Sequence, residues 1–536
     1  MKVARSVADI LARHVTLEIE GIDRMYLNVI VPELQYVGGV VRFLRKHRGH
    51  RIASTAMVAP MSAAFVKAVE SFAAREGLPL LTFEKGQRKD DVAQEYLAKF
   101  TGEEGVLFVG KAQEKIRTYR TEKRRDAKGL TYAWLVAATA MVNQYYFYAV
   151  DRDFGPFFLK FSSYFPYGAK LCINGHEYLK RQLARRGIAF EPLDNGILGC
   201  ENPERVQGLA DGLSAEKIDA LLRKWFRRLP HPFPAKDRAA GYRYRVFMLQ
   251  TEFSLTQVFD RPVAGRIFFE QVIREHLDLG RPDYIQLIFS RSQPRRSTSR
   301  FRTRVITEDV IPSLHIDYKH TRIKQYFKEG RALRTETTIN ANDDFGIGRA
   351  LHNLPALREV GFTANRRLLD DQRLSHDCFV GEVAFDRMQR SCEVGGQRAA
   401  ALRFGDQRVQ ILLHALLPFS LLPRGFSNRD LRRRLAPLHG VALDDISQGR
   451  MTYDLRRLRL HGLVKRIQKT HRYCLTELGL RIALFFTRAF KRIVQPTLSL
   501  LLDEIAPPTD PIRRTLDRFD EQIARSFERA DLRAQI

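Results

Sequence analysis

The sequence predicts a multidomain protein of α/β and α+β class, a mixed-sheet body followed by a small basic helical domain. Three observations predict it. Over residues 1–234 short strand-like apolar runs alternate with amphipathic stretches of helical period, over 235–350 strand patterns prevail, and over 409–492 helical patterns return around one short hairpin. At ~100–200 residues per domain the 536 residues make roughly three to five domains, and 44% apolar residues suffice for their cores, which excludes a disordered chain.

Residues 1–130 read as an N-terminal α/β region. Tyr26 to Val31 has strand character, Met61 to Arg75 is an amphipathic helix closed by Gly77, and Leu80 to Phe83 is a strand. Asp90 to Phe100 is a helix and Val106 to Val109 a further strand. Lys111 to Lys128 then carries eight Lys/Arg against three acids, which fits a solvated helix or loop and equally a phosphate-tracking strip with Lys115 and Arg124 in it.

Residues 131–234 are a strand-rich α/β region: Tyr145 to Val150, a turn over Asp151 to Pro156, Phe157 to Phe161, then Lys170 to Ile173. Asn174 and Glu177 have capping-box spacing and open a helix to Arg186, and Asp194-Asn-Gly196 marks a turn after the short strand Ala189 to Leu193. Helices near Pro203–Leu213 and Ala215–Arg228 end at the breaker Pro230 to Pro234, the expected domain boundary. Residues 235–350 form a basic α+β region, with strands at Tyr284–Phe289, Leu314–Lys319 and Arg331–Ile339 and a loop carrying Arg295, Arg296 and Arg300. Residues 351–408 read as linker and loops, and 493–536 as a C-terminal helical tail. No internal repeat of fixed period is visible.

Charge points to the partner. With 89 Lys+Arg against 61 Asp+Glu the net charge is +28 and the pI about 10.1, so polyanions concentrate around the chain; DNA is the first expectation, RNA the second, an anionic membrane surface the third. The longest apolar run, Trp134 to Val142, is well short of the ~18–20 residues that span a bilayer, so no membrane partner is expected. Five scattered cysteines without a C-x-x-C pair offer neither a zinc site nor a disulfide framework, and a reducing, cytoplasmic setting fits them.

In the C-terminal region, Val409 to Leu422 is an apolar helix, Ser427-Asn-Arg-Asp430 opens a second, and Ser447 caps a third through Leu460. Leu463 to Ile467 and His471 to Leu475 then make a hairpin, and Thr476-Glu-Leu-Gly479 begins a closing helix. This order resembles the winged helix of MarR-like transcription regulators. The full expectation is therefore a mixed-sheet body with a C-terminal winged helix-turn-helix domain over 409–492. Residues 421–491 hold sixteen basic residues against five acids. The resemblance implies that Leu455, Leu458 and Leu463 point inward. Arg450, Thr452, Tyr453, Arg456 and Arg457 are left for a major groove, and Lys465, Arg466, Lys469 and Arg472 for flanking phosphates.

Two constellations suggest chemistry. Asp151, Asp153, Glu177 and Asp194 follow the strand-strand-strand-helix-strand order of an RNase H-like nuclease, in which Asp151, Glu177 and Asp194 would hold Mg²⁺ or Mn²⁺ for phosphodiester cleavage. The same residues equally fit a hairpin turn, a capping box and a D-N-G turn. In Leu314 to Lys328, Tyr318 or Tyr326 would be a nucleophile toward a phosphodiester, with Lys319 and Lys324 beside them. Tyr318-Lys319 followed by Leu333-Arg-Thr-Glu336 resembles a motif pairing of filamentous-phage-type replication endonucleases, without the paired-histidine strand; the alternative is a basic, aromatic strand surface for bases and phosphates. No phosphate-binding G-x-x-x-x-G-K-S/T occurs, so no nucleotide cofactor is expected. Val31-Pro-Glu-Leu-Gln35, Asp153-Phe-Gly-Pro-Phe157, Asn174-Gly-His-Glu177 and Lys328 to Arg334 also resemble stretches of a bacterial family of uncharacterised proteins of this length.

The expectation is a nucleic-acid-binding protein, DNA-directed and acting in replication, recombination or mobile-element maintenance, with or without metal-dependent cleavage. The alternative is a non-catalytic binder, a transcription regulator or a partner of structured RNA.

Overall fold

Strands from the regions 1–130, 131–234 and 235–350 all join one sheet in the computed structural model. The structure describes residues 13–490 except 85, 126, 262, 264, 266–268, 270–301, 309–310, 329–330 and 377–379, together with residue 518. The expected strand Tyr284–Phe289, the arginines 295, 296 and 300, and the tail 493–536 apart from Arg518 lie outside the described residues. The chain divides into two compact units, Met1–Arg373 and Leu374–Ile536. Mixed α/β character holds throughout, with thirteen α-helices among the described residues.

The first unit contains β1 (Val15–Ile30), β2 (Leu80–Thr82), β3 (Gly105–Arg125), β4 (Thr131–Asp151), β5 (Gly155–Ser162), β6 (Ala169–Asn174), a small hairpin of β7 (Phe190–Leu193) and β8 (Gly196–Cys200), then β9 (Arg245–Phe259), β10 (Arg302–Glu308), β11 (Ile311–Tyr318), β12 (Thr321–Lys328) and β13 (Ala332–Ile339). The eleven-stranded sheet has the order β10-β11-β12-β13-β9-β1-β6-β5-β4-β3-β2. Every neighbouring pair is antiparallel except β2–β3.

The backbone repeats where the sequence does not. In each half a central strand (β1 or β9) is followed by a four-strand meander, β3 to β6 or β10 to β13, whose last strand returns beside the central one. The two central strands pair with each other about a local dyad near Met25 and Thr251. The registers agree with this dyad: Ile22–Phe253 exchanges with Leu27–Met248, and Met25–Ile173 corresponds to Thr251–Ile339. Carried across the sheet, the same correspondence sets Lys160 of β5 against Lys324 of β12, Tyr146 against His315, Tyr26 against Glu252 and Lys170 against Glu336.

Strand alternation separates the two faces. Met25, Leu27, Tyr145, Phe147, Phe157, Phe161, Met248 and Phe253 form one face and bury against the helices Ala59–Arg75, Ala215–Phe226 and Leu354–His376, with Phe65 against Tyr145, Trp225 against Phe157 and Phe362 against Phe253. The other face is polar and aromatic. By length and composition Thr55–Arg75 would cross a membrane, but its Phe65, Val69 and Phe72 lie in this sheet core.

Residues 351–408, expected as linker, instead carry Leu354–His376, a helix Glu382–Gln389 and a hairpin of Cys392–Val394 with Gln397–Ala399. Their Arg and Asp content hid an apolar stripe, Leu354, Leu357, Val360, Phe362, Leu368 and Leu369, that the fold buries.

The second unit then follows the expected element order. Helices Gln407–Leu416, Asn428–His439, Gln448–Leu460 and Glu477–Ala489 surround a three-stranded sheet in which Arg472–Leu475 lies between Phe426–Ser427 and Val464–Arg466. Ser427 and Asp430 make a reciprocal capping box, and Ser447 and Thr476 cap the two later helices. Gly425 has φ 60°, and a Cβ there would meet the Tyr473 carbonyl oxygen at 2.0 Å, so only glycine fits this strand entry.

Candidate functional site

Two exposed cationic elements stand out, one in each unit. In the second unit the helix Gln448–Leu460 buries Met451, Asp454, Leu455 and Leu458 and leaves Arg450, Thr452, Tyr453 and Arg456 exposed. Its position is fixed from inside: Arg408 pairs with the buried Asp454 at 2.8 Å, and Asn428 Nδ2 donates to the Thr452 hydroxyl at 3.1 Å. Lys465, Arg466 and Lys469 of the hairpin are exposed too, and Lys469 takes φ 57° in its turn. Three of the expected contact residues donate to backbone carbonyls, one of them locally: Arg466 Nε donates to the Thr470 carbonyl at 3.0 Å within the hairpin turn. Arg457 donates to the carbonyls of Ala400 and Ala401, and Arg472 to those of Arg424 and Gly425 at 2.8 and 2.6 Å, so both hold the module together.

In the first unit the strip Lys111 to Lys128, read as helix or loop, is mostly strand. Beyond Gln144, where β5 ends its pairing, β3 and β4 continue as a two-stranded ribbon to Arg125–Thr131. Pairing with the next strand, from Lys111 against Tyr145 to Arg125 against Thr131, decided this against the charge pattern. Tyr119 and Thr118 fasten its middle through hydrogen bonds to the Leu34 and Phe165 carbonyls, at 2.8 and 2.7 Å. Lys115, Arg117, Lys123, Arg124 and Arg125 are exposed, as are Tyr132 and Trp134, and the Arg124 guanidinium lies 5.0 Å from the Trp134 ring centroid.

Each carboxylate of the expected metal set has its own partners. Asp151 is buried; it accepts from the Asp153 and Phe154 amides, from Lys224 at 2.8 Å and from the Trp225 indole at 2.8 Å, so it closes the β4–β5 turn. Asp153 pairs with Arg185, and Glu177 with Lys180 at 2.8 Å. Asp194 is exposed in the β7–β8 turn, with Lys328 at 3.5 Å. Among the described residues no three His, Cys, Asp or Glu side chains gather as a metal site. Asn174 caps its helix by accepting from the His176 and Glu177 amides, but Glu177 gives its carboxylate to Lys180 rather than back to the cap.

Of the two tyrosines, Tyr318 ends β11, and Lys319 follows in a turn with φ 49°. Tyr326 lies on the polar face and donates to Glu336 at 2.9 Å while Lys324 sits 4.0 Å over its ring. Burial and the Glu336 charge push this phenol above its usual range, the opposite of an activated nucleophile.

Glu336 belongs to a network the sequence did not reveal. Arg334, wholly buried, pairs with Asp23 at 2.9 Å and Glu336 at 2.9 Å and reaches His176 Nε2 at 2.5 Å. A guanidinium can only donate, so His176 Nε2 accepts and the imidazole is neutral. Burial, with Arg334 beside it, depresses the His176 pKa to about 3. Against its own burial, Asp23 is held down to about 2 by Arg334 and His176. Near the dyad, burial lifts Glu252 to about 7, with the Asp23 charge adding to it. Asp23, His176 and Arg334 are 153 or more residues apart in pairs, so no local motif announces them. Comparison of the chain with family models, with curated proteins and with solved structures finds no match.

Proposed function

We propose that the protein binds nucleic acid, with the second unit acting as a winged-helix reader of duplex DNA. The observation that carries this is the helix Gln448–Leu460, which keeps its leucines inward and offers Arg450, Thr452, Tyr453 and Arg456 on its exposed side. A helix of this width fits a major groove, where arginine meets guanine through two hydrogen bonds. Lys465, Arg466 and Lys469 on the adjoining hairpin are placed for backbone phosphates, which add affinity without sequence choice. The β3–β4 ribbon, with its exposed cations and exposed Trp134, supports a second, sequence-independent contact, since a major groove also admits a two-stranded ribbon.

The test is footprinting of the intact chain on duplexes selected from a random pool. The expected result is one protected site, lost when Arg450 and Arg456 are both replaced by alanine while the helical spectrum is kept. Equal protection by both proteins contradicts the assignment. The same products, run on denaturing gels with Mg²⁺, Mn²⁺ or EDTA, separate binding from cleavage.

A further inference from the structure

On the polar face of the first half-sheet a cavity of about 420 Å³ opens among Tyr26, Tyr146, Tyr148, Phe158, Lys160 and Lys170, with Gln87 to Asp90 at its rim. That volume lies in the roughly 300–1,000 Å³ range of small-ligand sites. The sheet registers build it: Tyr26, Cys172, Phe158 and Tyr148 form one cross-strand row, and Asn28, Lys170, Lys160 and Tyr146 the next. The aromatic row packs ring on ring, Tyr148 to Phe158 at 5.3 Å and Tyr146 to Tyr148 at 6.0 Å and nearly parallel, and leaves Tyr26 and Phe158 half-exposed.

The cationic row divides in function. Lys160 is held: it bonds Glu114 at 2.6 Å and the Tyr146 hydroxyl at 3.0 Å, and Lys89 also reaches both groups. Arg88 and Lys170 have no carboxylate partner among the described residues. Four cations thus face two carboxylates, Asp90 and Glu114, and half-exposed ring faces lie beside the uncompensated charge. An apolar ligand would leave that charge unmet, and a bare anion would leave the rings unused.

We propose that this cavity binds a nucleoside monophosphate unit, its base stacked on Phe158 and Tyr26 and its phosphate on Lys170 and Arg88. The unit is either a free nucleotide or an unpaired nucleotide of a single strand. The site is independent of the helix Gln448–Leu460 and lies in the other unit.

The experiment is calorimetric titration of the full chain with the four nucleoside monophosphates, the matching nucleosides, inorganic phosphate and a single-stranded DNA decamer. Saturable one-to-one binding of the monophosphates is expected, with nucleoside or phosphate alone at least tenfold weaker. Tighter binding of the decamer assigns the unpaired strand, and tighter binding of the monophosphate assigns the free nucleotide. Lys170→Glu should cost at least tenfold and Lys170→Arg little. Phe158→Ala should cost roughly five- to a hundredfold, the range for loss of one stacked base. Decamer binding is assigned to the cavity only as far as Lys170→Glu removes it. No saturable monophosphate binding, or the same affinity in Lys170→Glu with an unaltered melting temperature, overturns the proposal.

Discussion

The two halves of the large sheet share one backbone plan and use their polar faces in opposite ways. Lys160 and Lys324 occupy corresponding positions, yet around Lys160 the neighbours are Tyr146, Phe158 and Lys170, whereas around Lys324 they are His315, Arg322 and Glu336. The first half therefore keeps an open aromatic and cationic cavity. At the inner edge of the second half, charge is turned inward, where Arg334 holds Asp23 and Glu336 away from water. A strand scaffold fixes where side chains point, and the side chains alone decide whether a face is a binding surface or a structural tie.

That contrast can be broken most severely at Arg334. Arg334→Met should destabilise the first unit by about 3–5 kcal/mol, because it strands two buried carboxylates. Lys170→Met, on the other half, should change stability by less than about 0.5 kcal/mol. Denaturant unfolding of both variants checks this, and equal losses would refute the contrast.

Acid sharpens it. Asp23, with a folded pKa of about 2, stabilises the fold above about pH 4 and loses that contribution as pH falls toward 2. His176, at about 3, contributes above pH 6.5 and loses its share from 6.5 downward. Glu252, raised to about 7, has the opposite sign: its contribution is present below pH 4.5 and is lost as pH rises to 7. Stability should therefore fall below pH 4.5, where Asp23 and His176 both lose their contributions. Between pH 4.5 and 7 Glu252→Gln should rise more steeply with pH than the parent, because the opposing Glu252 contribution is gone, as urea titrations at several pH values would show; identical profiles would be inconsistent with these assignments.

The second unit gives smaller effects that divide its arginines. Arg450→Ala or Arg456→Ala should cost about 1–3 kcal/mol of duplex affinity if it contacts a base edge, with no loss of stability. Arg457→Ala should do the reverse, lowering the melting temperature by releasing the Ala400 and Ala401 carbonyls. The smallest effect is expected at the hairpin: Lys465→Ala and Lys469→Ala should each reduce the salt dependence of binding by about one unit of slope.

What could be read from the sequence follows contact distance. In the second unit most signals are local: Ser427 with Asp430, Ser447 before its helix, the Leu455 and Leu458 spacing and the hairpin appeared where expected, whereas the third strand Phe426–Ser427, which pairs with residues some 45 positions on, did not show in the sequence. The Asp194-Asn-Gly196 turn and the Asn174 cap were equally local. The sheet was not legible. Its plan depends on β1 pairing with β9 some 230 residues later, and its cavity takes residues from β1, β4, β5 and β6. Asp151 looked like a metal ligand because sequence shows a carboxylate at a strand end but not the Lys224 and Trp225 that occupy it. Arg457 and Arg472 looked like groove residues because their carbonyl partners lie at least 47 residues away.

The most direct test of the account is the salt dependence of duplex DNA binding by the intact chain beside its Arg450→Ala/Arg456→Ala variant. Log affinity is expected to fall linearly with log salt, by about 0.9 per phosphate contact, with the variant at least tenfold weaker at every salt concentration. Binding that does not respond to salt, or a variant that follows the parent throughout, would contradict it.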